Sequence, residues 1–483
     1  MTDIDVVAQA RSIMREHDAA GVLVPCGLSA VVIGDDVLGH VPDVLTTLLQ
    51  AASPPVPPRP EVALLVDATL IRRHGADVKA AVAHSLSARF EVRTVVLSDG
   101  HPQLHADETV IAGAAGRIAG VHAVVTVGGG TITDIGKLAS LAAGALPLIT
   151  VQTAASVDGF TDNVSVIVRN GVKRTVASRW PDVVIADVQT IAEAPAAMNI
   201  AGYGEINSMF TAPADWKLAQ LLGIDDSFHL GPIRLLDAVG QDLEVWSAGL
   251  GRETASTGRL VQALALRGIA TGVSGSTACL SGVEHLISHM FDLWHGQQGK
   301  PIGLHGAQVG VASVVAAAAW EMLFDRMATV QAPADRLAIP TAADLEAQVS
   351  AAFAEADPSG RIGAECWIDV QRKLTAITTH RERIAAVLAD WSTSLAQLRP
   401  LLRTSDAIGA GLVAAGAAAS FEQLIPAVGR KLVFWAVQNC GLMRNRFTVV
   451  DLLALLGWWS DADVAEVLSR AEHAAVAPAV RHG

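Results

Sequence analysis

Apolar positions along this chain change their period near residue 190, and the change divides it. Upstream, short apolar runs alternate with stretches of helical spacing. The runs AVVIGDDVL (30–38), VALLVD (62–67), VRTVVLSD (92–99), HAVVTVGGG (122–130), LPLITVQT (146–153) and VVIAD (183–187) read as strands. Such apolar, β-branched runs, bounded by Gly, Pro or Asp, suit strands covered on both faces. Helices are expected at the amino-terminal segment, from about residue 39 to 52, near 76–88, over 108–119, and over TITDIGKLASLAA (131–143). The segment SPPVPPRP (53–60) reads as a stiff connector, and VSVIV with VKRTVA as a hairpin around Arg169 to Gly171. Strands alternating with helices predict an α/β amino-terminal domain, residues 1–190, with an open, doubly wound, mostly parallel sheet. Residues 231–280, 281–325, 343–400 and 430–475 show helix-length periodicity, which predicts an all-α carboxy-terminal domain over 191–483.

Composition narrows the class. With 483 residues, 51% hydrophobic and only 17% charged, the chain has ample core for two or three domains. Mean hydropathy is +0.39, yet no uninterrupted apolar run reaches the roughly 18 residues of a spanning helix, and runs such as 310–320 read as buried helices. The start, MTDIDVVAQARSIMREHD, lacks a secretory pattern, so a cytoplasmic protein with no membrane partner is expected. Cys26, Cys279, Cys366 and Cys440 are too widely spaced for a CxxC metal site or a disulfide framework. A net charge of −13 and the lack of a basic block interleaved with aromatics argue against nucleic acid.

Gly128, Gly129 and Gly130 end an apolar strand and precede a helix. That placement exposes backbone N–H groups and a helix amino terminus to an anion, as a dinucleotide pyrophosphate requires. A glycine-rich turn without a ligand has the same local pattern. Asp67, at the end of VALLVD, is placed either to accept from an adenosine ribose, which would favour NAD over NADP, or to serve as an ordinary turn residue.

The string GGGTITDIGK (128–137) resembles the GGGxxxDxxK pattern of the iron-containing alcohol dehydrogenase-like (dehydroquinate synthase-like) superfamily, which includes glycerol and glycerol-1-phosphate dehydrogenases. QTAASVDGF (152–160), AGYGEINSMFTAPADWKLA (201–219), SGVEHLISHMFDLW (281–294) with GLHGAQVGV (303–311), and RNRFTVVDLLALLG (444–457) resemble, in order, motifs of the glycerol-1-phosphate dehydrogenase branch. The resemblance implies an NAD or NADP cofactor held by Gly128, Gly129, Gly130, Asp134 and Lys137, with Thr153 and Ser156 at the nicotinamide or ribose. It implies one divalent metal on Glu205, His285 and His305, with zinc ahead of nickel and iron. His289, one turn after His285, can face the same cavity, and Asp158 is the candidate for orienting substrate hydroxyls. Each of Thr153, Ser156 and Asp158 could instead brace a loop, and Lys173 is either an anion contact or an exposed hairpin lysine.

The implied activity interconverts a ketone and a secondary alcohol on a small polyol or polyol phosphate. A homo-oligomer is expected, since dimers are the commonest assemblies. The chain departs from the branch at Glu205, where Asp is usual, at Met209, where a lysine is frequent, and at Ala307 and Gln308, where a charged pair is usual. These changes weaken the case for a phosphorylated substrate. Two other readings follow from the same residues: a sugar phosphate cyclase using NAD transiently, and an inactive dinucleotide-binding paralogue.

Overall fold

The structure is a computed structural model that describes residues 5–51, 55–101, 103–169, 172–240 and 242–476. It divides into two compact units. One holds residues 1–202 with 230–275, the other residues 203–229 with 276–483.

The first unit is built on six parallel strands: β1 (Ala30–Gly34), β2 (Glu61–Val66), β3 (Glu91–Val96), β4 (Ala123–Gly128), β5 (Leu148–Gln152) and β8 (Val183–Asp187). Their spatial order is β1-β8-β5-β4-β2-β3. The central strands are buried along their length because helices cover both faces, which is why their sequences read as unbroken apolar runs. Alternate side chains serve opposite cores. Val62, Leu64 and Val66 join helices Val41–Gln50 and Val78–Ser87, whereas Ala63 and Leu65 join Glu108–Arg117 and Gly130–Ala142. The expected hairpin is present as antiparallel strands β6 (Val164–Arg169) and β7 (Val172–Ala177). Its tip at residues 170–171, like residues 53–54 of the expected connector, lies outside the described residues.

Strand order reverses between β2 and β4. From β2 the chain moves outward to β3 by way of helix Val78–Ser87 on one face; from β4 it moves the other way to β5 by way of helix Gly130–Ala142 on the opposite face. In open α/β sheets such a switch leaves a crevice beyond the carboxyl ends of the two strands. Pairing of Leu65 with Thr126 sets Asp67 and Gly128 level at that crevice.

The predicted cut at residue 190 is corrected. Residues 191–202 and 230–275 pack with the first unit, not with the later helices. Helix Thr254–Ser274 shows why. A Cβ at Gly272 would collide with the Trp180 ring and one at Gly268 with Thr161 and the Asp158 carbonyl, while Thr161 Oγ1 donates to the Ala265 carbonyl at 2.8 Å. Helical periodicity reveals that the segment is a helix; it carries no information about which core receives it.

The second unit contains only helices and turns among the described residues. Its axis is His305–Thr329, flanked by Val283–Gln297, Ser405–Ala414, Val449–Leu455 and Asp461–Val476. The long periodic stretch expected over 343–400 resolves into Ala342–Phe353, Arg361–Thr379, Arg381–Ala389 and Trp391–Leu398. One helix, His305–Thr329, does meet the length and hydropathy of a membrane span, contrary to the expectation of none, but 83% of its apolar window is buried within the protein.

Gly272→Ala is expected to lower stability by roughly 1–3 kcal/mol through overpacking against Trp180. A urea midpoint equal to that of the parent protein would show that the ring can yield and that this helix is not fixed on the first unit as described.

Candidate functional site

In the first unit the candidate cradle is the turn from β4 into helix Gly130–Ala142. Gly129 caps this helix without a side-chain bond, and a Cβ added there would meet nothing within 4 Å. The space ahead of the helix amino terminus is therefore open, and its N–H groups and dipole favour an anion. Gly128 and Gly130 have a different reason to lack side chains. A Cβ on Gly128 would lie 2.7 Å from Ile132 Cγ1, and one on Gly130 would lie 3.1 Å from Val157 Cγ2. Gly136, which the sequence reading did not single out, lets the helix rest directly on Thr126 of β4. The segment 153–157 is tied to the same turn: Thr153 N donates to the Gly128 carbonyl at 3.2 Å, and Ala155 N to Asn199 Oδ1 at 3.0 Å.

Lys137, expected at the cofactor, is engaged within the protein. Its side chain is fully buried, and Nζ donates to the Gly159 carbonyl at 2.9 Å, to Asp162 Oδ1 at 2.6 Å and to the Val164 carbonyl. Asp134 lies 3.4 Å from the same ammonium and accepts from Val166 N at 3.2 Å. One buried lysine thus stands between two carboxylates and anchors the loop before β6 to the helix. Burial raises the Asp134 pKa to about 6, with Lys137 opposing the rise and Asp162 adding to it. The pattern DxxK therefore braces the scaffold behind the cradle; an ion pair is the usual tenant of a buried charge, and its spacing alone does not distinguish brace from ligand.

Asp67 follows its turn reading. Its carboxylate accepts from Thr69 N and Oγ1 at 3.2 and 2.9 Å and pairs with Lys79. Asp158 is paired with Arg267, Oδ2 to Nη2 3.2 Å, and the arginine side chain is wholly buried. Ser156 is half-buried beside it in sequence, and Lys173 lies in β7 of the hairpin.

In the second unit Glu205, His285 and His305 come together from three helices, Ala196–Ile206, Val283–Gln297 and His305–Thr329. One ligand atom of each lies within 4.8 Å of the other two. His285 Nε2 is 3.2 Å from Glu205 Oε1, and His305 Nε2 is 3.9 Å from Glu205 Oε2. Glycines make this possible. A Cβ at Gly204 would strike the Gly306 carbonyl, and one at Gly310 would lie 2.8 Å from Gly204 Cα. Backbone rests on backbone, so the carboxylate and His305 are neighbours.

The outer nitrogens of both imidazoles are also engaged. His285 Nδ1 is 3.0 Å from Glu284 Oε1, whose other oxygen accepts from Thr211 Oγ1 at 2.9 Å. His305 Nδ1 is 2.9 Å from Ser288 Oγ, which donates to Gln308 Oε1 at 2.7 Å. Partners on Nδ1 leave Nε2 as the inward atom, the arrangement that orients metal-binding histidines. One carboxylate and two so oriented imidazoles fit a divalent cation with an open position. Burial opposes charge on His285, but the Glu205 and Glu284 carboxylates outweigh it and raise its pKa to about 9. His289 completes the cluster, stacked on His305 at 5.5 Å between ring centroids and 20° between planes.

Glu284, Ser288, Gln308, Arg444 and Asp215 were missed as site residues from sequence. The first three sit one to three residues from a ligand in the quoted motifs. Asp215 bridges two helix starts, accepting from Val283 N at 3.2 Å and Val449 N at 2.9 Å. Burial, then the nearby Glu284, pushes its pKa well above the usual carboxylate range. Arg446 holds the same helix start through Ser281 and Thr277.

A family model described as iron-containing alcohol dehydrogenase matches residues 32–195. The chain is 35% identical over 251 residues to the glycerol-1-phosphate dehydrogenase [NAD(P)+] of Pyrococcus horikoshii, a match covering 50% of this chain and 69% of that one. It is 34% identical over 277 residues to the corresponding enzyme of Natronomonas pharaonis, covering 55% and 76%. With the Geobacillus thermodenitrificans enzyme, 34% identical, the match spans only half of the relative. Among solved structures, a probable glycerol dehydrogenase from Sinorhizobium meliloti superimposes with a TM-score of 0.55 at 13% identity, covering 92% of this chain and 98% of that one. Glycerol dehydrogenase from Schizosaccharomyces pombe gives 0.55 at 15% identity and 94% of each chain. These two likenesses concern the fold.

Two outcomes are expected. Lys137→Met strands two buried carboxylates and should cost roughly 3–5 kcal/mol in thermal denaturation. Unchanged stability with lost dinucleotide binding would return Lys137 to the cofactor. For His285, whose folded pKa is raised from 6.5 to about 9, the stabilising contribution is complete below pH 6.5 and lost as pH rises through 9. Metal-free protein should therefore lose stability across that interval, and Glu284→Gln should shrink the loss. A flat melting temperature from pH 6.5 to 9 would contradict the buried imidazolium.

Proposed function

We propose, for a chain that belongs to the iron-containing alcohol dehydrogenase family on its glycerol-1-phosphate dehydrogenase side, that it is a metal-dependent, NAD(P)-linked dehydrogenase. It interconverts a ketone and a secondary alcohol on a small polyol or polyol phosphate. The observation that carries the proposal is the cluster of Glu205, His285 and His305, with each histidine engaged from behind through Nδ1.

When bound, a divalent cation would supply Lewis-acid stabilisation of negative charge on the substrate oxygen. The donor set suits zinc, our first choice, as well as nickel and iron. Glu205 and the two Nε2 atoms would hold the cation, with Glu284 and the Ser288–Gln308 pair fixing the imidazole planes. In the first unit, the turn of Gly128, Gly129 and Gly130 is proposed to hold the pyrophosphate, with open space at Gly129 and the N–H groups of helix Gly130–Ala142 facing it. Thr153 and Ser156 follow β5 and are proposed to contact the nicotinamide or its ribose. Asp158, kept as a carboxylate partner of Arg267, is proposed to orient substrate hydroxyls. Reduction would carry a hydride from a bound nicotinamide to the carbonyl carbon and a proton to its oxygen, and His289, stacked beside His305, is proposed to donate a hydrogen bond to that oxygen.

Glu205 reaches one methylene further than the aspartate usual in this branch, and the cluster nevertheless closes. The missing lysine at Met209 leaves phosphate recognition to other groups, so phosphorylated and unphosphorylated substrates are both within the proposal. A cytoplasmic, self-associating enzyme completes it.

The test is oxidation of NADH and NADPH by zinc-loaded protein, with dihydroxyacetone phosphate and dihydroxyacetone compared. Turnover with either supports the dehydrogenase, and preference for the phosphate names the glycerol-1-phosphate substrate. His305→Ala should lose bound zinc and activity together; full activity in that variant would overturn the site.

A further inference from the structure

We infer that Arg444 is a positioning residue that fixes His289 in its Nε2–H tautomer, so that His289 meets the substrate oxygen as a hydrogen-bond donor and is not a fourth ligand to the cation. Arg444 Nη2 lies 3.2 Å from His289 Nδ1. A guanidinium is always protonated and has no acceptor atom, so a hydrogen bond between the two requires a lone pair on Nδ1. The remaining proton of a neutral imidazole must then sit on Nε2. A nitrogen that bears a proton has no lone pair to offer a metal.

Placement of the rings agrees independently. Among the described residues, the group of metal-capable side chains within 4.8 Å of one another contains Glu205, His285 and His305 but not His289. His289 is stacked beside His305, 5.5 Å between centroids, and set edge-on to His285 at 6.3 Å and 84°. It shares the cluster without joining the ligand set. The three imidazoles are sorted by what stands behind each one: a carboxylate at His285, a hydroxyl at His305 and a guanidinium at His289. Carboxylate and hydroxyl accept the Nδ1 proton and free Nε2 as a donor of electrons. Only the guanidinium imposes the opposite polarity. The chain just after Arg444 is anchored by Arg446 on Ser281 and Thr277 and by Thr448 at the capping box with Asp451.

The identity of the acceptor as a substrate oxygen rests on the dehydrogenase reading; the tautomer does not. Protein labelled with 15N at histidine, with the His289 signals assigned by their loss in His289→Gln, should show Nδ1 unprotonated and Nε2 protonated, before and after addition of zinc. A protonated Nδ1, or an Nε2 that loses its proton when zinc binds, overturns the inference. Arg444→Met should populate the other tautomer and lower kcat about tenfold or more, with zinc stoichiometry and dinucleotide KM unchanged. Arg444→Lys, which keeps a cationic donor, should recover part of the rate and the native tautomer. Unaltered tautomer and kcat in Arg444→Met would also overturn it. Absence of turnover in the parent protein would sink the dehydrogenase reading alone, and the nitrogen spectra would still decide this one.

Discussion

Two helices touch backbone to backbone where Gly204 faces Gly306 and Gly310, and the second unit's chemistry depends on that contact. A single methyl group at Gly204 would push the start of His305–Thr329 away. Glu205 and His305 would then separate, and His285, held from the opposite side by Glu284, would lose the partner of its inward nitrogen. The contact costs the conformational entropy of glycines in a helix, a cost offset by the buried apolar surface along the rest of helix His305–Thr329.

Buried charge is the second constraint. Lys137 with Asp134 and Asp162 in one unit, and Asp215, Glu284 and Arg446 in the other, lie among apolar neighbours where an unpaired ion is expensive. Each group is satisfied by backbone N–H or carbonyl groups at an element end: Val166 at the start of β6, Val283 and Val449 at helix starts, Ser281 just before a helix. The charges thereby join the ends of elements far apart in sequence. This is why motifs that look like ligand sets contain so many residues that only position others. DxxK, ADW and RxRxTxxD all act through backbone or side-chain neighbours, while the groups offered to ligands are few: open N–H groups at Gly129 and three inward-facing side chains.

Local pattern and tertiary packing also divide the polar residues. Asp134 follows the glycine turn in sequence and Asp67 lies at the end of the neighbouring strand, and both positions suit a dinucleotide. Their carboxylates pair with Lys79 and Lys137. Spacing does not distinguish a carboxylate that awaits a ligand from one already paired: the partner of Asp67 lies 12 residues away on another element, and Lys137, three residues from Asp134 on the same helix, is turned inward by Asp162 and by carbonyls that only the fold brings to it.

By itself the sequence determined the parallel sheet and the glycine turn at its centre, and the family resemblance picked out the three side chains that cluster in the second unit. The first two arise from local rules, since apolar runs need two covered faces and a strand-to-helix turn needs glycine; the last rests on the matched motifs. Tertiary structure decided the rest. It assigned residues 230–275 to the first unit, since a helix's periodicity says that it must be buried and not by what. It turned Lys137 inward, and it placed Glu284, Ser288 and Arg444 behind three chemically identical imidazoles. A histidine's tautomer is set by the group across from its outer nitrogen, and for His289 that group lies 155 residues further along the chain.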